Sequence, residues 1–339
     1  MALEQCNPEN SWPRRICVLA ILMTFIVVSM GAWTRLNNAG LGCPDWPGCY
    51  GQIVVPSTPS QIEAAENTYG TSVDVSKGMT EMVHRYLASI LGLLIMLLAW
   101  FAYRRRYMPG YPKYLSYGLL MLVITQGLFG MWTVTLKLLP VVVTLHLLGG
   151  LLTLSLLIRL YQKLNAYKAK PIALNKSSLL VAGAVVLLFS QLILGGWTSS
   201  NYAGWSCPHW LSCSDQQAVS LDFKTGFDVS APVGPNYEGG MLPLEARAAI
   251  QMTHRGVAVL LCIYLLILTT ILCRNPVLRW PLACVLLVVF AQVALGVGNI
   301  LWGLPLGLAM AHHSGAVLLL VSLLWLYQRV RTEVHYVTV

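Results

Sequence analysis

The chain has 339 residues, of which 56% are hydrophobic and only 10% charged, whereas a water-soluble globular domain carries roughly 25% charged residues; it is read as an all-α integral membrane protein. Its formal net charge of +9 does not point to nucleic acid. The basic residues sit beside apolar runs, without the interleaved polar or aromatic tract of a binding face, and act as topology signals.

In chain order the apolar runs predict eight transmembrane helices, near 15–36, 79–102, 114–136, 140–160, 175–198, 247–273, 278–301 and 305–327. Open strands cannot satisfy their backbone in lipid, and these runs lack the alternation of a transmembrane barrel. Arg14 and Arg15 precede the first run, which is longer than a signal-peptide core and has no clear small-residue cleavage site, so it is expected to be an uncleaved anchor.

Arg14 and Arg15, Arg104 to Arg106 with Lys113, Arg159 to Lys176, Arg274 with Arg279, and Arg329 with Arg331 fall at one set of helix ends. Those ends are expected to face the cytoplasm, together with both termini, in a multi-pass protein of a bacterial inner membrane. The long loops 37–78 and 199–246 are acidic and belong outside. Trp33, Trp132, Trp197 and Trp302 fall near the outer boundary and Trp12, Trp100, Trp280 and Trp325 near the inner one, as two interfacial belts against membrane lipid.

An internal duplication organises the chain. GAWTRLNNAGLGCPDWPGC at 31–49 aligns with GGWTSSNYAGWSCPHWLSC at 195–213, pairing Trp33 with Trp197, Cys43 with Cys207 and Cys49 with Cys213. EMVHR at 81–85 matches QMTHR at 251–255, and Gln126, Gly130, His146 and Gly149 match Gln292, Gly296, His312 and Gly315. Four helices per copy is an even number, so the two four-helix bundles are expected to be parallel repeats. The predicted division is 1–160, a linker at 161–176, and 177–339.

His84 and His146 lie about five and six residues inside their spans, at a shared depth of roughly 7 to 10 Å at 1.5 Å per residue. Helices two and four of a bundle run in one direction, so two imidazoles can approach a flat ligand from opposite sides. His254 and His312 repeat the pattern. Ionisable side chains within a membrane are expensive and mark function by default; the plainer alternative is four histidines each bonded to a neighbouring helix. Paired imidazoles in a dry bundle suit heme iron, whereas zinc wants about four ligands and no further ligand stands one turn away. Gly149, Gly150 and Gly315, one turn after a histidine, either admit a porphyrin edge or serve helix packing. Because adjacent helical residues point roughly 100° apart, only one of His312 and His313 can face the bundle, and alignment through Gly149 and Gly315 selects His312. His209 and His335 are expected to be solvated. Arg85 and Arg255 are candidates for heme propionates, an arrangement compatible with snorkelling to the interface.

The copies differ in charge: Arg35 stands against Ser199, Asp45 against His209 and Glu81 against Gln251. Glu81 precedes His84 by three residues on one helix face, where a carboxylate can handle protons beside a bound porphyrin; the alternative is a carboxylate snorkelling to water. The cysteines divide likewise. Cys6, Cys17, Cys262, Cys273 and Cys284 are expected to be reduced, and Cys43 with Cys49 and Cys207 with Cys213 to form two outer disulfides, either inert or electron-exchanging. A zinc site sharing these four thiolates is the weaker alternative.

TRLNNAGLGCPDWPGCYG after the first span, EMVHR, VVVTLHLLGG, QMTHR and AMAHHSGA together resemble the heme A synthase family, in its class with paired cysteines in the outer loops, over essentially the whole chain. The resemblance implies an enzyme that oxidises the C8 methyl of heme O through an alcohol to the formyl group of heme A for terminal oxidases. It implies that His84 and His146 flank the substrate, that Glu81 is the catalytic carboxylate and that His254 and His312 ligate heme b. His313 departs from the glutamine common in the family. Heme O synthase and an unidentified electron acceptor are the implied partners. A di-heme b electron-transfer protein is the alternative and a porphyrin transporter a third reading; the missing counterparts of Arg35, Asp45 and Glu81 count against two equivalent permanent sites, and unbroken spans against a transporter.

Overall fold

The computed structural model describes residues 11–165, 175–209, 213 and 219–337, with side chains through 331. Eight of its helices are long and apolar enough to cross a membrane, and no β-strand occurs among the described residues. These helices are α1 (Ser11–Leu36), α3 (Val75–Arg104), α4 (Lys113–Thr135), α5 (Pro140–Asn165), α6 (Lys176–Ser200), α8 (Leu244–Leu272), α9 (Arg279–Leu301) and α10 (Leu306–Val337). Each coincides with an expected span. Cys6, Trp210, the side chain of His335 and most of the linker lie outside the described residues.

Two further helices occupy the long loops, α2 (Pro59–Tyr69) and α7 (Phe223–Gly226). The sequence reading contains neither, although α2 carries local start and stop chemistry. Thr58 caps it by accepting from the Gln61 backbone, the Gln61 side chain answers at the Thr58 N–H, and Pro59 occupies the first turn. It stops at Gly70, left-handed at φ 67°, whose N–H returns to the Glu66 carbonyl. Both ends thereby satisfy backbone groups that a short isolated helix leaves to water.

The described chain forms two compact units. The first comprises the residues through Arg35, Ala39–Val134 and the part of α5 from Gly149 onward. Its core joins Cys17 and Ala20 of α1, Leu91, Ile95, Leu98 and Ala102 of α3, Leu119 of α4, and Leu157 and Leu160 of α5. Lipid supplies no hydrophobic drive between helices, so close approach at small residues matters: Cys17, Ala20 and Ala102 are fully buried, and the Cys17 thiol donates to the Leu157 carbonyl at 3.3 Å. On the opposite face of α3, Leu93, Met96 and Trp100 are exposed, as a lipid-facing stripe requires.

The second unit comprises Leu36–Asn38, Thr135–Leu148 and the described residues from Asn175 onward. Within it α6 packs on α8 and α10, and α10 on α9. Leu261, Leu265, Leu268 and Leu272 form the buried stripe of α8, while Leu260, Ile263 and Ile267 are exposed. Trp197 departs from the belt expected of it. It is buried against Ala203, Ile250 and Phe227, and its indole N–H donates to the Gly226 carbonyl at 2.8 Å. The reason is local: α7 folds back over the end of α6 and offers an unpaired helix-end carbonyl to the indole, which satisfies both groups away from water.

Candidate functional site

Each long loop closes on itself before it meets a helix. Cys43 and Cys49 are disulfide-bonded with Cα atoms 4.7 Å apart, and Cys207 and Cys213 with Cα atoms 3.9 Å apart. Each pair is bonded within its own loop, so no four-thiolate zinc site forms. Among the described residues no group of three or more His, Cys, Asp or Glu side chains is placed to hold a metal ion. Cys17, Cys262, Cys273 and Cys284 are free. In the first loop the Asp45 carboxylate accepts the N–H groups of Tyr50 at 2.6 Å and Gly51 at 2.8 Å, holding the turn beside the disulfide.

The helix after each loop then grips it from the same two positions. On α3, Glu81 accepts the Cys43 N–H at 2.9 Å through Oε2 and pairs with the Arg85 guanidinium through Oε1. Arg85 Nη1 donates to the carbonyls of Asp45 at 3.0 Å, Pro47 at 3.2 Å and Gly48. On α8, Gln251 accepts the Cys207 N–H at 2.6 Å and returns an N–H to the Gly204 carbonyl at 2.7 Å. Arg255 donates to the carbonyls of His209 and Cys207. A tight disulfide turn leaves backbone groups without partners in its own segment, and these four side chains supply them.

This differs from the snorkelling considered for Glu81, Arg85 and Arg255. Glu81 is 4% exposed and Arg255 8%; they turn toward the loop rather than to water. Both guanidinium groups proposed for propionates also donate to loop carbonyls.

A glycine on a neighbouring helix backs each of three histidine rings. A Cβ at Gly31 would stand 3.0 Å from Cε1 of His84, one at Gly195 3.4 Å from Cε1 of His254, and one at Gly296 3.3 Å from Cε1 of His312. Gly31 and Gly195 open the repeated loop motif, and Gly296 belongs to the second repeated set; their three-dimensional task is not legible from their spacing. The His84 ring lies against the backbone of Val27, and the His312 ring against that of Gln292. Nδ1 of each is buried and makes no hydrogen bond of ordinary geometry. His254 and His312 lie within electrostatic range of one another in the second unit. His146 belongs to the second unit and His84 to the first.

Gly149 and Gly315 have a partner that the sequence reading did not include. A Cβ at Gly149 would stand 1.8 Å from Nε2 of Gln126, and one at Gly315 1.9 Å from Nε2 of Gln292. These glycines admit a glutamine amide one helical turn from a histidine. The repeat already contained both pairs, but the distance between the two partners in sequence conceals that they touch.

Comparison with known proteins gives the family. Residues 14–324 match the family described as cytochrome oxidase assembly protein (COX15-CtaA). A protein of Shewanella oneidensis named heme A synthase is 38% identical over 93% of this chain and 94% of its own length. Proteins of the same name from Rhizorhabdus wittichii and Wolbachia pipientis are 27% and 28% identical, covering 91% and 93% of this chain and 91% and 97% of their own lengths.

Proposed function

The chain belongs to the cytochrome oxidase assembly protein family, and we infer from that membership that it is a heme A synthase, a membrane oxidoreductase that converts the C8 methyl of heme O to the formyl group of heme A. The observation that carries the assignment of residues is a repeat with one charge: Glu81 and Gln251 grip equivalent loops, yet only the first copy has a carboxylate beside its histidine. In the repeat pairing His84 and His146, both within the first sequence copy, 1–160, are the residues assigned to the heme O substrate. His254 and His312 hold heme b in the second, 177–339, beyond the linker 161–176.

The residues fit a porphyrin. A buried imidazole costs free energy unless the ring is fixed by what it binds, and Nδ1 of His84 and of His312 is buried against the backbone of Val27 and of Gln292 without a hydrogen bond of ordinary geometry. The glycines behind His84, His254 and His312 make room for each ring against a neighbouring helix, and these imidazoles would be the groups that hold a heme iron. Heme b, when bound, supplies one-electron chemistry. Glu81 takes the proton role: oxidation of a methyl group releases protons, and it is the only acidic residue within the first four spans. Arg85 keeps that carboxylate turned to the loop, and any propionate that meets Arg85 or Arg255 shares the guanidinium with loop carbonyls.

The long loops lie outside the bacterial inner membrane and both termini in the cytoplasm, as the basic helix ends require. Heme O synthase is the source of substrate, and an electron acceptor completes the reaction.

The test is Glu81→Gln. Gln251 shows that an amide at this position keeps the loop anchored, so the variant is expected to fold, keep heme b, and accumulate heme O or its alcohol in cells that make heme O. Normal heme A output from the variant removes the catalytic role of Glu81. Absence of heme A from wild-type protein, with two permanent b hemes, favours a di-heme electron carrier instead.

A further inference from the structure

The two copies differ at one more position in the histidine surroundings. Gln191 on α6 and Val27 on α1 occupy the same place in the repeat, each four residues before the glycine that backs a histidine. One helical turn apart, residue and glycine share a face. In the second unit the Gln191 amide nitrogen lies 3.1 Å from Nδ1 and 3.3 Å from Nε2 of His254, and donates to the His254 backbone carbonyl at 3.1 Å. Its Oε1 is buried and has no partner. In the first unit the same position offers the His84 ring only the backbone of Val27.

We infer that Gln191 is a positioning residue that makes the second histidine pair a resident heme site, while Val27 leaves His84 in a site from which a porphyrin can depart. The inference rests on the assignment of His254 as a heme b ligand. A ring ligating through one nitrogen must present a proton on the other, and the partner of that second nitrogen fixes both tautomer and orientation. A side-chain amide carries a donor and an acceptor. The amide already lies beside Nδ1, and its Oε1 is uncommitted and available to accept from Nδ1–H. Rotation of the ring away from iron then breaks that contact. The valine side chain has neither donor nor acceptor, and the His84 ring meets only the backbone of Val27, so turning His84 costs no side-chain hydrogen bond. A substrate site that must release its oxidised porphyrin and a cofactor site that must not are thus distinguished by one side chain.

The experiment uses full-length purified protein and follows loss of low-spin heme to excess apomyoglobin by absorbance, with the midpoint potential as a second readout. Gln191→Met, which keeps length and removes hydrogen bonding, is expected to release heme b roughly 10- to 100-fold faster, the range for removing a partner of a metal-bound histidine. Gln191→Glu, which keeps an oxygen for Nδ1–H, is expected to retain the heme and lower its potential. Val27→Gln is expected to slow release of porphyrin from the first site and leave the rate at the second unchanged. Wild-type release and potential in Gln191→Met and Gln191→Glu overturn the inference, as does equal loss in both, which marks packing alone. Should Gln191→Met fail to fold, Val27→Gln decides, and an unchanged first-site rate overturns the inference. His254→Ala separates the two levels: persistence of low-spin heme in that variant refutes the ligand assignment itself and the inference with it.

Discussion

Oε2 of Glu81 accepts the backbone N–H of Cys43 at 2.9 Å. The carboxylate assigned to chemistry is therefore also the tether of the first disulfide loop, and its two oxygens divide between a peptide and the Arg85 guanidinium. A mutation at Glu81 acts on both functions, and the choice of replacement decides which one is read.

Glu81→Ala is expected to lower stability by about 1–3 kcal/mol, the cost of a buried donor left without its partner, because Cys43 is fully buried. Glu81→Gln preserves that acceptor and is expected to stay closer to wild type. Thermal unfolding in detergent, compared at one heme loading, measures the difference. Equal destabilisation by alanine and glutamine would show that the loop does not depend on this hydrogen bond.

His254→Ala and His312→Ala are each expected to abolish the low-spin heme spectrum, since either leaves iron with one imidazole. His313→Ala is expected to retain it, because its ring points roughly 100° away from that of His312 on α10. Loss of heme from His313→Ala with retention in His312→Ala would reverse the ligand assignment on α10.

Two glycine substitutions provide a contrast in steric response. Gly92 has no atom within 4 Å of a Cβ built on it, so Gly92→Ala is expected to stabilise α3 by up to about 1 kcal/mol through helix propensity. Gly31→Ala brings a methyl to 3.0 Å from the His84 ring and is expected to weaken heme O binding while heme b remains. Titration of heme O into the two purified variants distinguishes them; equal affinities would remove Gly31 from the site.

Topology is tested at Ser57 in the first long loop and Tyr107 between α3 and α4, both exposed. In intact spheroplasts, a membrane-impermeant maleimide is expected to label Ser57→Cys and to reach Tyr107→Cys only after lysis. The opposite pattern inverts the protein in the membrane.

The eight spans were readable because lipid imposes one strong rule, continuous apolar length, and that rule needs no knowledge of neighbours. Trp197 was misplaced by the same kind of reasoning: a tryptophan at a predicted span end reads as an interfacial anchor until α7 folds over it. The signal for α2 is present in Thr58, Pro59 and Gln61, a capping arrangement that lies among polar loop residues without an apolar run to mark it. Glu81, the histidines and both cysteine pairs stood out because duplication aligned them, and their chemistry is rare in a membrane. Gln191 did not, since its counterpart Val27 is an ordinary span residue and alignment draws attention to what agrees. Arg85 and Arg255 were visible, but the carbonyls they hold belong to turns whose shape no spacing in the sequence reveals.

The shared grip of Glu81 and Gln251 also bears on how such a pair of bundles can diverge after duplication. Glutamate and glutamine codons differ by one base at the first position, and each side chain accepts the peptide N–H of the first loop cysteine. A single nucleotide change in one copy thus discharges its site while the loop stays tied down, so one half can relinquish proton chemistry without passing through an unfolded ancestor.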